Sequence, residues 1–417
     1  ASDQIAELIA KCDPKDVAAL TVECRQKQKM RHMPLFMAAH LLKTGYAIDG
    51  VLAKICTRAD MMTDFLGIYK TLNGGKLKPL AASVKRGLGD AFKRHDEYSL
   101  AKYDRDTDIK LRDIIRLCHP KPDNEDQSAL WGRVKDRTLK TPDTWEVGLS
   151  AAKGNDEKRA VWVRLIESGK LPALAFLRNL RNMKQVDVPG SVIRKGFADV
   201  KSTMLLPLNF LTAANENPEF KKDIEDLMIR TYANLPKLPR RTLFIVDRSG
   251  SMSSNISGKS KFTRQEVANA MAMLAINMAE DCSLVITAGS DSAYAHKSEL
   301  LKYPERGFGL FEQIRKSDVG GGGIFTRQVL EWSREQLTGD FDRVIVFSDS
   351  QDCDSRNPKP PKPFGKYNYI VDVSSHNHGI NYKGVWTAEV SGWSEHFLTY
   401  IAALEGNDNK FDDTNEQ

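Results

Sequence analysis

No apolar run in this chain approaches the ~20 residues that a membrane-spanning helix needs. The N-terminus also lacks the charged-then-apolar order of a secretory signal. Both absences lead us to expect a soluble protein with no membrane association. Cysteine is sparse: Cys12, Cys24, Cys56, Cys118, Cys282 and Cys353 are scattered without a CxxC pair. That argues against a zinc site and a disulfide framework, and for a reducing cytoplasm. The first 240 residues hold no convincing Val/Ile/Thr alternation and no fixed-period repeat. No Gly-Lys-Ser/Thr follows the run from Gly320 to Gly323, so that run is not a phosphate loop. No cluster of acidic residues and no paired histidines point to a nuclease.

What is present fits a multidomain protein. At 417 residues the chain exceeds one ordinary core, and 41% hydrophobic with 28% charged residues describes a globular composition. The net charge of +6 hides an asymmetry. Residues 1–240 carry 42 Lys+Arg against 31 Asp+Glu, a balance of +11, and residues 241–417 carry 19 against 24, a balance of −5. A basic first part suits a polyanion; a mildly acidic second part suits a cation.

The first part reads as helix after helix: 34–44, 59–72, 78–95, 109–119, 144–153, 157–167, 172–183, 192–199, 207–215 and 219–233. Each is short and amphipathic, with Pro, Gly, Asn or Asp between them. Such a series predicts an α-solenoid of stacked helix pairs over 1–240. Residues 236–241 look like a linker. Beyond it, apolar strands at 242–246, 283–287, 344–347 and 369–373 alternate with helical patterns at 264–280, 327–336 and 395–404. The alternation predicts a doubly wound α/β domain over 241–406, followed by a polar tail at 407–417.

The first strand runs straight into Asp247-Arg248-Ser249-Gly250-Ser251-Met252. Alternate side chains of extended backbone point the same way. Asp247, Ser249 and Ser251 therefore converge one carboxylate and two hydroxyls, donors that suit Mg2+. Asp349, just after the strand at 344–347, can reach the same ion, and Thr326 behind the four glycines is the nearest hydroxyl of a third loop. The bland reading of Asp247 alone is a strand-end Asp capping the next turn; the joint pattern with the glycine loop and Asp349 favours a metal. An aspartyl-phosphate enzyme would want a second Asp where Ser249 stands, so the loop reads as binding and not catalysis.

The helix at 78–95 places Leu77, Leu80, Ala81, Val84, Leu88, Ala91 and Phe92 on one face, with Lys78, Lys85, Arg86 and Lys93 on the flank and opposite side. Lys102, Arg105, Arg112, Arg116, His119 and Lys121 continue the cationic character. Any one of these is an ordinary solvated charge; the excess over the whole part is what points to nucleic-acid backbone bound with strong salt dependence.

Four segments, 77–103, 113–122, 171–183 and 244–252, stand in an order and spacing that resembles the TROVE-domain family, the Ro autoantigen and its bacterial counterparts. The resemblance implies a ring of HEAT-like helical repeats closed by a von Willebrand factor A domain with a metal-ion-dependent adhesion site, acting as a monomer. It implies small noncoding Y RNAs on the basic outer surface and single-stranded ends of misfolded RNAs in the central hole. In bacteria it implies an exoribonuclease partner, polynucleotide phosphorylase. The metal residues carry over as Asp247, Ser249, Ser251 and Asp349. Two departures stand out: Ile324 follows Gly322-Gly323 where the family has Thr, and the chain begins inside the family's helical domain.

Two functions of different class follow. One is a noncoding-RNA-binding scaffold in RNA quality control, processing or stress response, without catalysis of its own. The alternative is a metal-dependent protein-interaction module whose ion recruits a carboxylate from a protein partner.

Overall fold

The computed structural model describes residues 2–77, 79–200, 205–233, 235–258, 260–356, 361–374, 384–392, 394 and 396–406. Lys78 and the tail at 407–417 lie outside them. Packing divides the chain into two compact units, Ala1–Lys153 and Gly154–Gln417. The change from helices to strands near residue 240 is a separate feature, internal to the second unit.

The first unit is helical: α1 (Ser2–Lys11), α2 (Pro14–Gln26), α3 (His32–Lys43), α4 (Asp49–Ile55), α5 (Ala59–Leu72), α6 (Ala82–Phe92), α7 (Glu97–Tyr103), α8 (Leu111–Cys118), α9 (Glu125–Asp136) and α10 (Trp145–Ala151). Helices stack on their second neighbours, α1 on α3 on α5 and α2 on α4 on α6 on α8. Two layers built this way are the packing of an α-solenoid. Leu35, Leu52, Phe65, Leu88, Phe92 and Ile114 lie fully buried between the layers. Five of these helices, α1, α2, α4, α7 and α9, fall outside the periodicity reading. Cap chemistry marks three of them: the Asp13 carboxylate accepts from Lys15 N–H with Pro14 at the first helical position, Asp96 accepts from Ser99 N–H, and Asn124 accepts from Gln127 N–H. Helix α6 begins at Ala82, four residues later than the sequence reading.

Gly87 sits where α6 crosses α4. A Cβ there would lie 2.7 Å from the Asp49 carbonyl oxygen and 2.8 Å from Leu52 Cβ. The first obstacle is backbone and cannot rotate away. Gly87→Ala is therefore expected to cost about 1–3 kcal/mol, the usual penalty for overpacking, read as a lowered midpoint in urea unfolding.

The second unit starts with α11 (Asn155–Glu167), α12 (Ala173–Gln185), α13 (Gly190–Asp199), α14 (Pro207–Glu216) and α15 (Lys221–Tyr232). The second-neighbour rule persists, α11 on α13 on α15 and α12 on α14. Six strands follow: β1 (Leu238–Asp247), β2 (Ala279–Ser290), β3 (Ala295–Leu301), β4 (Arg343–Ser348), β5 (Tyr367–Asp372) and β6 (Ala388–Ser391). They lie in the order β3-β2-β1-β4-β5-β6, all parallel except β3, which pairs antiparallel with β2. Helices α16 (Arg264–Met278), α17 (Phe308–Lys316), α18 (Thr326–Gln336) and α19 (Phe397–Leu404) complete the unit.

β1 extends back through most of the expected linker: Leu238 already pairs with Ala279. Pro239 at the start of a strand is compatible with this, since few ladder bonds are needed there. Leu243, Ile245, Val344 and Val346 pack with Val329 and Leu330 of α18. The alternate residues Phe244 and Phe347 stack at 6.4 Å, and Phe347 meets Phe397 of α19 edge-on. Burial on both faces explains why these strands read as continuous apolar runs. Helix α16 is wrapped on every side after its first turn, and it packs on both β1 and α14. The sequence reading gave it one apolar face, Val267, Met271, Leu274 and Met278; the structure also buries Ala268, Ala270, Ala272, Met273, Ala275 and Ile276.

Candidate metal centre and basic helix face

β1 lies between β2 and β4, where the strand order runs outward in both directions, and a doubly wound sheet opens a crevice at that point. Asp247 closes β1 there and is fully buried. Its Oδ1 accepts from Ser249 N–H at 2.7 Å and its Oδ2 from Ser348 Oγ at 2.6 Å. The Ser249 and Ser251 hydroxyls are 3.1 Å apart. Burial pushes the Asp247 carboxyl up to about 7; the bonds from Ser348 and Ser249 pull it back, and the nearby Asp349 charge adds to the rise. Arg248 turns away, its guanidinium reaching the Ile314 and Arg315 carbonyls at the end of α17, each at 3.2 Å.

The glycine loop locks against this turn. Gly250 N–H donates to the Gly322 carbonyl and Gly322 N–H to the Gly289 carbonyl, both at 3.0 Å. A Cβ on Gly250 would lie 2.7 Å from the Gly321 oxygen, and one on Gly322 would lie 2.5 Å from the Gly289 oxygen. Glycine is needed for that close approach.

Asp349 follows β4 and is likewise fully buried. Its Oδ2 pairs with the Arg264 guanidinium at 2.6 Å, and its Oδ1 accepts from Gln351 N–H at 3.3 Å. Thr326 starts α18, with its N–H donating to Asp352 Oδ1 at 3.1 Å. Its buried hydroxyl closes no hydrogen bond of normal geometry, although it lies near enough to Asp352 to lower that carboxyl against a larger rise from burial. Above these groups opens a cleft of about 420 Å³ lined by Gly250, Ser251, Gly321, Gly322, Asp291 and the 350–353 segment. Among the described residues no three His, Cys, Asp or Glu side chains group to hold a metal.

On the first unit, Lys85, Gly89 and Lys93 share one side of α6 and face the α8–α9 connection. Lys85 acts on the Cys118 thiol, a Cβ at Gly89 would touch Pro120 at 3.4 Å, and Lys93 pairs with Asp123 at 2.5 Å. Exposed His119 and Lys121 lie on that same connection. Arg86 instead turns toward Asp49 of α4 at 3.5 Å, Arg116 toward Asp113 at 3.9 Å, and Lys102 over the rings of Tyr98 and Tyr103. Arg105 is exposed; Arg112 is half-buried with its Nε unpaired.

The TROVE domain model matches residues 126–280, from α9 through the Asp247 turn to the first residues of β2. That stretch of the chain is similar to the TROVE domain. The crystal structure of the Ro (RSR) protein of Deinococcus radiodurans is similar over 98% of this chain and 94% of that chain, with a TM-score of 0.65 and 18% identity. That likeness agrees with the fold: helical repeats followed by a doubly wound α/β domain. The sequence reading overlooked Arg264, Ser348 and Asp291. Arg264 had a legible signal, a charged residue just after the Thr263 cap of a helix with no polar face.

Proposed function

We propose that this protein is a noncoding-RNA-binding scaffold of the TROVE type, with no catalysis of its own. The match of residues 126–280 to the TROVE domain carries the reading. The +11 balance of residues 1–240 supports it, as does the grouping of Lys85, His119 and Lys121 beside Lys93. In its finer form, the helices hold a Y-type small RNA and the single-stranded ends of misfolded RNA, and present them to an exoribonuclease such as polynucleotide phosphorylase. The six cysteines form no disulfide with one another, which suits a reducing cytoplasm. A filter-binding titration with a structured RNA ending in a single-stranded 3′ tail tests the core of this reading. Retention should fall steeply as salt rises from about 50 to 200 mM; no retention at low salt would overturn it.

The crevice supports a second, compatible role. Asp247, Ser249, Ser251 and Thr326 would hold Mg2+, with Asp349 behind them. The unbonded Thr326 hydroxyl, the paired serine hydroxyls and a buried carboxylate raised by its surroundings all fit a hard divalent ion. A bound ion supplies an open position for an acidic group of a protein partner, and the open cleft above leaves room for one. Asp247→Ala is expected to abolish the rise in melting temperature that Mg2+ gives the wild type. Equal shifts for the two proteins in a thermal scan would refute the site.

A further inference from the structure

The Asp349 carboxylate is already committed. The Arg264 guanidinium holds Oδ2 at 2.6 Å, Gln351 N–H holds Oδ1, and both charged side chains are buried, 11% and 0% exposed. Arg264 cannot easily leave. Its own N–H donates to the Ser254 carbonyl at 2.9 Å, tying the start of α16 to the loop that carries Ser249 and Ser251. Its Nε is buried without a partner, so Asp349 is its one ionic anchor among the described residues. Asp349 adjoins Ser348, whose Oγ donates to Asp247 Oδ2 at 2.6 Å, which places the guanidinium at the same small crevice.

We propose that Arg264 competes with the divalent ion for Asp349, so that the crevice binds its cation on Asp247 and hydroxyl oxygens alone and therefore weakly. The inference rests on the cation reading above. Two cations in one buried pocket repel, and low local dielectric makes that repulsion large. The pair Arg264–Asp349 contributes no net charge, so among the residues assigned to the ion only Asp247 brings a carboxylate that is not already salt-bridged. A bound Mg2+ keeps net positive charge and favours an anionic group on whatever enters the cleft.

Calorimetric titration of Mg2+ and Mn2+ into the full chain tests this. Arg264→Gln frees Asp349 and should tighten binding about tenfold or more, as expected when a buried like charge is removed. Removing both partners, Arg264→Gln with Asp349→Asn, should return affinity to within about threefold of wild type. The double substitution also guards against a folding failure of the single one, since deleting a buried pair together is often nearly neutral whereas halving it is not. Affinity of Arg264→Gln equal to or below wild type would overturn the proposal, because Arg264 would then merely hold Asp349 as a ligand. A tenfold loss in the double variant would overturn it for the same reason. If the wild type binds and Arg264→Gln binds no tighter, only the competition falls. If neither protein binds either ion, the cation reading falls with it.

Discussion

Reversing Lys85 and Lys121 together, Lys85→Glu with Lys121→Glu, is expected to weaken RNA binding by about tenfold to a hundredfold at low salt. Both side chains are exposed and make no ion pair among the described residues. Neither is needed for packing, so urea unfolding should be unchanged. The plot of log affinity against log salt should flatten by about two, one for each phosphate that the protein no longer neutralises. The matching reversal of Arg86, which already faces Asp49, should do less. Unaltered affinity in the double variant would remove this face from the RNA surface. An equal loss for any two surface lysines elsewhere would reduce the effect to net charge.

Glu405→Ala should be the most destabilising single change in the second unit. Glu405 ends α19 and takes Arg343 of β4 through Nε at 2.6 and 2.9 Å as well as through its second terminal nitrogen. Only 3% and 2% of the two side chains is exposed. Tyr369 donates to the same carboxylate at 3.1 Å, and Arg343 also caps the Pro239 carbonyl at the start of β1. Burial and the Glu405 charge together raise the Tyr369 hydroxyl. Removing Glu405 strands a buried guanidinium, which costs about 3–5 kcal/mol. Arg343→Met combined with Glu405→Leu should recover most of that loss, because neither charge is then left alone. Guanidinium unfolding of the three proteins checks the order; a Glu405→Ala midpoint close to wild type would show that the pair is not holding α19 down.

The Asp247 turn was legible because everything that makes it is local. An apolar strand, a tight turn and alternate oxygens lie within ten consecutive residues. The sheet core was legible for a related reason, since strands buried on both faces announce themselves as apolar runs. The position of Arg264 behind the Thr263 cap carried a signal, but its role did not, because that role comes from Asp349, 85 residues further on. β3 was missed because an antiparallel edge strand, here Ala295–Leu301, is only half buried and carries His296, Lys297 and Glu299. The division at 153/154 was hidden too. It depends on α14 packing against α16, a contact between elements that differ in composition and lie far apart in sequence. Thr326 stands between these cases: its position behind the glycines was readable, but not that its N–H is spent on Asp352.

Helix α16 has no face to spare. Its first turn touches the oxygen crevice through Arg264, its flank lies on α14, and its inner side rests on β1. A rod enclosed like this cannot tilt or slide by itself, because tightly packed interiors pass displacement on to their neighbours. Within the second unit, α14 and the rim of the sheet are therefore geared together at one shaft, and a shift at either end has to be accommodated by the other.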